Sequence, residues 1–295
     1  MSNDSSSAVE SNAESAFSLL ADETRLAIVR ALANATDTPL TFSELRERVG
    51  TIDSGRFNYH LGKLTGRFVE KTDDGYELRL AGQLVFGAIL AGSYSRGDDV
   101  GPISLDPPCP MCDSAVEATY TDERITVQCT ECGKPLVDIG IPPGVFEGYD
   151  TEELPAVADR YTRTLFSQAR AGFCITCRGM FEGRLVRSGD DSHNDVIFDD
   201  VHAAYSCDRC NDELVTGVGM VYLDHPAVVS FYYDHDIDLS QPHLWGTAWR
   251  TMPDIETISD DPLRAEVTFE VDDDTLTLHI DEDLNVLDVA RPSAE

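Results

Sequence analysis

The eight cysteines of this 295-residue chain fall into four Cys-x-x-Cys pairs with none left over: Cys109/Cys112, Cys129/Cys132, Cys174/Cys177 and Cys207/Cys210. No other feature restricts the fold so strongly. Sixteen residues separate the first two pairs, a spacing typical of a zinc ribbon, and 29 separate the last two, room for a longer ribbon with strands of its own. Four thiolates make the tetrahedral set that zinc prefers and leave no position open for water or substrate. The expectation is two structural zinc ions per chain, standing in for core that small β-units cannot supply. Gly133, directly after Cys132, lets the backbone turn around a metal. Disulfides are the competing use of paired cysteines, and a reducing cytoplasm disfavours them. A thiol switch that releases zinc on oxidation and an iron–sulfur cluster draw on the same ligands. A zinc deaminase does not fit. Pro108-Cys109-x-x-Cys112 matches half of its signature, but the only upstream histidine, His60, is followed by Leu61 and Gly62 instead of the required x-Glu.

The net charge is -32, and lysine is almost absent: three residues, Lys63, Lys71 and Lys134, against 19 arginines. Such a surface is what solubility in molar salt favours, which points to a halophilic source. At about 1 M salt the Debye length is roughly 3 Å, so an acidic surface barely repels another polyanion beyond contact. The charge is uneven. Residues 98–295 carry a net of -29, residues 1–97 only -3, and Phe42 to Lys71 a net of +2. The opening Met1-Ser2-Asn3-Asp4-Ser5-Ser6-Ser7 lacks the basic and apolar regions of a signal peptide. The longest apolar stretch, Leu84 to Ala91, is too short to span a bilayer. A cytoplasmic protein with no membrane association is expected.

The chain divides by pattern into a disordered acidic tail (1–14), a helical and hairpin domain (15–97), a zinc ribbon (98–150), and a second four-cysteine site within an α+β regulatory region (151–295). Ser93 to Pro108 is polar, with Gly and Pro, and reads as a link. A helix is expected near Glu152 to Ala171, strands at Phe181–Val186 and His202–Ser206, and a short helix after Pro226. Val267, Phe269 and Val271 alternate, then Leu276, Leu278 and Ile280, around Asp272-Asp273-Asp274, which reads as a β-meander. No internal repeat is evident beyond the cysteine pairs. The fold class is α+β.

The first domain is well punctuated. Asp22 is a candidate N-cap for the helix carrying Leu26, Val29 and Leu32. Thr41 with Glu44 makes a capping box, with Leu40 and Leu45 as its hydrophobic staple and Gly50 as the stop. The third helix runs from Asp53 to Thr65, with Phe57, Leu61, Leu64 and the following Phe68 on its core face. Its other face shows Gly55, Arg56, Tyr59, Gly62 and Lys63, with Ser54 and Asn58 at the margins. A face without bulk between Arg, Tyr and Lys suits a groove wall. Arg can fork onto guanine and Asn onto adenine, while Lys or Tyr can hold phosphate. The DNA-contact candidates are therefore Ser54, Arg56, Asn58, Tyr59 and Lys63. Strands at Arg67–Lys71 and Tyr76–Leu80 flank Asp74-Gly75, a hairpin signal. Helices followed by a hairpin and another helix are the order of a winged helix-turn-helix.

The string Phe17-Ser18-Leu19-Leu20-Ala21-Asp22-Glu23-Thr24-Arg25-Leu26-Ala27-Ile28-Val29 resembles the opening of ArsR-type winged-helix regulators. Phe57-Asn58-Tyr59-His60-Leu61-Gly62-Lys63-Leu64 resembles their recognition helix. The resemblance covers roughly residues 15–92, and is to the haloarchaeal branch that carries a zinc-ribbon C-terminal region. It implies a homodimer that binds double-stranded operator DNA. The chain departs from metal-sensing members, because no cysteine lies in or near Thr41–Val49. The reading is a transcription regulator and not an enzyme, with a C-terminal region that takes a protein or small-molecule effector. Three other readings stay open: a winged helix used only for protein interaction, a basal transcription or RNA-associated adaptor, and a zinc-dependent enzyme, for which no open ligand set is present. His60 reads as a core-margin residue. His193, His202, His225, His235, His243 and His279 sit among acids, as in Asp234-His235-Asp236; a solvated acidic loop is the reading, with a further metal site as its alternative.

Overall fold

The computed structural model describes residues 14–291, apart from residues 51–52, 96, 107, 110, 134, 189–199 and 240–251. Nearly all of the expected tail, and the histidines at 193 and 243, lie outside the described residues. The chain mixes helix and strand and divides into two compact units, Met1–Ser95 and Arg96–Glu295. Among the described residues no helix is long and apolar enough to cross a membrane.

The N-terminal unit holds α1 (residues 14–20), α2 (Glu23–Ala33), α3 (Phe42–Val49), α4 (Ser54–Leu64), the hairpin strands β1 (Val69–Lys71) and β2 (Tyr76–Leu78), and α5 (Leu80–Leu90). The Asp22 side chain accepts from the Arg25 N–H and starts α2. Thr41 and Glu44 form a reciprocal capping box at α3, closed by Gly50. Asp53 caps α4 by accepting from the Arg56 N–H. Such caps contribute about 1 kcal/mol each. Ile28, Val29, Leu32, Leu45, Phe57, Leu61 and Leu64 are all at most 2% exposed and form the centre of one core.

The hairpin strands are shorter than the alternation suggested, because their outer residues serve other bonds. Phe68 N–H bonds back to Leu64 and Arg79 N–H bonds to the Phe68 carbonyl. A third partner joins the hairpin. Leu40 exchanges both backbone bonds with Tyr76, at 3.0 and 2.8 Å. Gly75 makes that approach feasible, since a Cβ there would run into the Leu40 carbonyl oxygen. Gly75→Ala is therefore expected to destabilise this unit by about 1–3 kcal/mol, the usual cost of overpacking. Thermal unfolding followed by helix circular dichroism checks it, and an unchanged midpoint would contradict the contact.

The C-terminal unit contains three antiparallel sheets. The first is β3 (Val100–Leu105), β4 (Val116–Thr121), β5 (Arg124–Cys129) and β6 (Pro135–Gly140). Helix α6 (Leu154–Arg170) follows. The second sheet is β7 (Glu182–Arg187), β8 (Val201–Ser206) and β9 (Glu213–Thr216). After α7 (Val218–Val221) and α8 (Pro226–Asp234) comes a four-stranded meander, β10 (Asp254–Asp260), β11 (Leu263–Val271), β12 (Asp274–Ile280) and β13 (Val286–Ala290). In register, Ala265 faces Ile280, Val267 faces Leu278 and Phe269 faces Leu276. All six are buried in a cluster that runs through all three sheets and packs against α6 and α8.

Two sequence expectations are corrected. The stretch Ser93–Pro108 is not simply a link, because β3 lies inside it. Its register shifts between Val100 and Ile103, where Gly101 and Pro102 sit, and among the described residues it pairs only with β4. Gly and Pro are tolerated at such an edge bulge, which is why the strand reads as loop. A topological repeat also exists beyond the cysteine pairs. Each half of the unit runs Cys-x-x-Cys, hairpin, Cys-x-x-Cys, third strand: β4–β5–β6 in one and β7–β8–β9 in the other.

Candidate metal centres and candidate nucleic-acid face

All four Cys-x-x-Cys turns share one backbone form. In three of them the N–H of the first cysteine bonds to the carbonyl five residues on: Cys109 to Ser114, Cys174 to Gly179, Cys207 to Asp212. In all four the N–H of the residue four beyond the first cysteine returns to that cysteine's carbonyl. These returning residues are Asp113, Gly133, Arg178 and Asn211, each with φ between 57° and 64°. The turn needs a left-handed residue after the second thiol. Glycine marks only one of the four. Asp and Asn, which enter this region more readily than most residues, fill two others.

The turns bring the thiols together in sequence-neighbour pairs. Cys109, Cys112, Cys129 and Cys132 form one cluster, and Cys174, Cys177, Cys207 and Cys210 the other, all Sγ atoms of each lying within 4.8 Å of one another. Sγ–Sγ separations are 3.9 Å for Cys109–Cys132, 3.4 Å for Cys112–Cys129, and 3.6 Å for both Cys174–Cys210 and Cys177–Cys207. A disulfide needs about 2.05 Å. A tetrahedron of sulfurs with metal–sulfur bonds of about 2.3 Å has edges near 3.8 Å. The donor set fits a tetrahedral metal ion and not a pair of disulfides.

The thiols differ in their electrostatics. The Cys112 thiol is drawn down to about 6, chiefly by hydrogen bonding to the Ser114 backbone and side chain. Burial pushes Cys207 up, but the backbone N–H groups of Cys210 and Arg209 and the neighbouring thiols bring it down to about 7. Burial and the three surrounding thiols push Cys210 up to about 12, and burial also raises Cys174. Without a cation the crowded sulfurs cannot all ionise; a divalent cation reverses that balance. Each centre is half sunk. Cys109, Cys129, Cys174 and Cys207 are buried, while Cys112, Cys132 and Cys210 reach the surface.

Ser54, Arg56, Asn58, Tyr59 and Lys63 are all exposed on α4, opposite the buried Phe57, Leu61 and Leu64. Lys63 Nζ lies 5.5 Å from the Tyr59 ring centroid, so the two form a joined aromatic and cationic surface. A Cβ on Gly62 would meet nothing within 4 Å, which leaves that part of the face flat and open. His60 sits beneath, 6% exposed, with Nδ1 3.3 Å from Asp22 Oδ1. It brings α4 against the start of α2, a contact that chain spacing could not have revealed. The other described histidines scatter, and one corrects the expectation of a solvated acidic surface: His202 points inward from β8 and is 1% exposed. His225 caps α8 by accepting from the Ala227 N–H, His235 bridges the Phe231 carbonyl and Asp274, and His279 lies between Glu266 and Asp288. Among the described residues the two cysteine clusters are the only groups of three or more such ligands close enough to share an ion.

A family model described as a domain of unknown function, DUF7347, matches residues 13–89, the stretch that contains α4 and its exposed face. A second, described as a domain of unknown function, DUF7351, matches residues 106–286 and includes all eight cysteines. No curated protein and no solved structure matches the chain. The second match spans more than half of the sequence, and the chain therefore belongs to the DUF7351 family.

Proposed function

We propose that this chain is a sequence-specific DNA-binding transcription regulator whose N-terminal unit is a winged helix-turn-helix and whose C-terminal unit is built on two zinc ribbons. The observation that carries the reading is the α4 face: Arg56, Asn58, Tyr59 and Lys63 stand exposed on a helix whose other side is fully buried. In this reading α4 enters the major groove and the β1–β2 hairpin lies along the backbone. Zinc held by each cysteine cluster supplies no catalytic chemistry. It cross-links two turns and orders the strands between them, leaving no ligand position free for a reactant. The C-terminal unit then takes the protein or small-molecule signal.

A homodimer follows from the resemblance and suits α5. Leu80, Leu84 and Leu90 on that helix are each at least 60% exposed, and a second copy would cover them.

The experiment is footprinting of the chain's own promoter in 2 M potassium chloride. A discrete footprint of two half-sites about one helical turn apart is expected. Ordinary regulators lose affinity steeply with salt because counterion release weakens. Here the fold and the footprint both persist, because the acidic surface is suited to that medium. Occupancy of most promoters without preference would favour the adaptor reading, and unfolding in molar salt would contradict the halophilic one.

A further inference from the structure

A cleft of about 380 Å³ opens in the N-terminal unit between the C-terminal end of α2, strand β2 and helix α5. That volume is within the range that takes a small molecule. Leu32, Leu78 and Phe86 make its apolar wall. Thr38, Glu77 and Gln83 bring a hydroxyl, a carboxylate and an amide to its edge.

Glu77 is the one charged residue that lines it, and among the described residues no cationic side chain does. Glu77 is a half-buried carboxylate. Glu70 stands directly opposite Glu77 across the hairpin, an unfavourable like-charge pair. Helix α2 ends at the cleft with Asn34 as its C-cap, and Arg30 in its last turn offsets the partial negative charge of the carbonyl end, so the cleft's negative character rests on the carboxylates.

The geometry points to this cleft as a binding site for a small organic cation, an ammonium group on an apolar body. The ammonium sits against Glu77 and relieves its repulsion with Glu70. The apolar body covers Leu32 and Leu78, and the Phe86 ring can face either part of the ligand. Potassium gains nothing from the apolar wall, so an organic cation is selected even in concentrated salt. The inference does not rest on the DNA reading, because binding is measured on the protein itself.

The test uses phenethylammonium chloride as probe, with the full-length protein in potassium chloride, followed by calorimetry and by amide NMR shifts. Saturable one-site binding is expected. The neutral 2-phenylethanol and the anionic 3-phenylpropionate should bind at least tenfold more weakly. Glu77→Gln should lose at least tenfold. Gly87→Leu should block the cleft, since Gly87 lines it and a Cβ there meets nothing within 4 Å. Leucine is a better helix former than glycine, so that variant keeps α5. Circular dichroism verifies both folds. No saturable binding by the wild type would overturn the site. Equal affinity for the alcohol, or wild-type binding by both variants, would overturn it as well.

Discussion

Stripping metal from the reduced, purified chain will collapse the C-terminal unit and leave the N-terminal helices standing. The expectation rests on magnitudes. Structural zinc contributes about 10–16 kcal/mol of apparent binding energy at neutral pH, and a whole domain is typically stable by only about 5–15 kcal/mol. Each centre joins turns that are far apart in sequence, Cys112 to Cys129 and Cys177 to Cys207, and the buried cysteines belong to the same core as the sheets. Losing the ion leaves four crowded, half-buried thiols and frees the hairpins between them. The N-terminal core contains no cysteine, so it should keep its helical signal. Elemental analysis should find two zinc ions per chain. A chelator strong enough to remove them should abolish the β-rich part of the circular dichroism spectrum, and zinc should restore it. Cys129→Ser should hold one zinc, because the second cluster shares no ligand with the first. One zinc or none in the wild type, with all thiols free, would defeat the two-site reading.

Much of the N-terminal unit was legible because each helix carries its own boundary signals. Asp22, Thr41 with Glu44, and Asp53 all cap the helices that their local patterns indicated. The grouping of cysteines was legible for a different reason: the nearer pairs close the shorter loops, at lower entropy cost. What stayed hidden depended on contacts distant in sequence. Leu40 acts as a third strand against Tyr76, and nothing local distinguishes it from a residue that only precedes a cap. The β4–β5 turn uses Asp122 and Glu123, both at positive φ, where the usual signal is Asn-Gly or Asp-Gly.

The edge strands were the least visible. β10 and β13 border the meander, and β10 alternates between exposed and only half-buried positions, so its sequence Asp254-Ile255-Glu256-Thr257-Ile258-Ser259-Asp260 shows little apolar period. The inner strands β11 and β12 bury every second residue, and they were the ones read correctly. Candidate DNA contacts were legible as a face of a helix. The roles proposed for them rest on side-chain chemistry, and substitution separates one from another.

Arg56→Ala should weaken binding at the preferred promoter site by about 1–3 kcal/mol, roughly five- to 150-fold, and relax sequence choice there. Arg56 lies in the first turn of α4, next to the Asp53 cap, and its side chain is exposed. The N-terminal residues of a recognition helix are the ones that reach base edges, and a guanidinium can fork onto guanine O6 and N7. Lys63 is nearly two turns further on, on the same side of the helix and beside Tyr59, where a phosphate contact is the better fit. Lys63→Ala should therefore weaken all sequences alike and lower the salt slope by about one. Neither change should move the unfolding midpoint, because the core face of α4 is formed by Phe57, Leu61 and Leu64, which they do not touch. Asn58→Ala should have a smaller effect, since Asn58 lies at the margin of the face. Fluorescence anisotropy on promoter and scrambled duplexes, with circular dichroism as the folding control, separates these outcomes. Wild-type binding by both Arg56→Ala and Lys63→Ala would mean that α4 does not read DNA. The adaptor reading would then be the stronger one, because it asks the N-terminal unit to dock a partner instead of a base sequence.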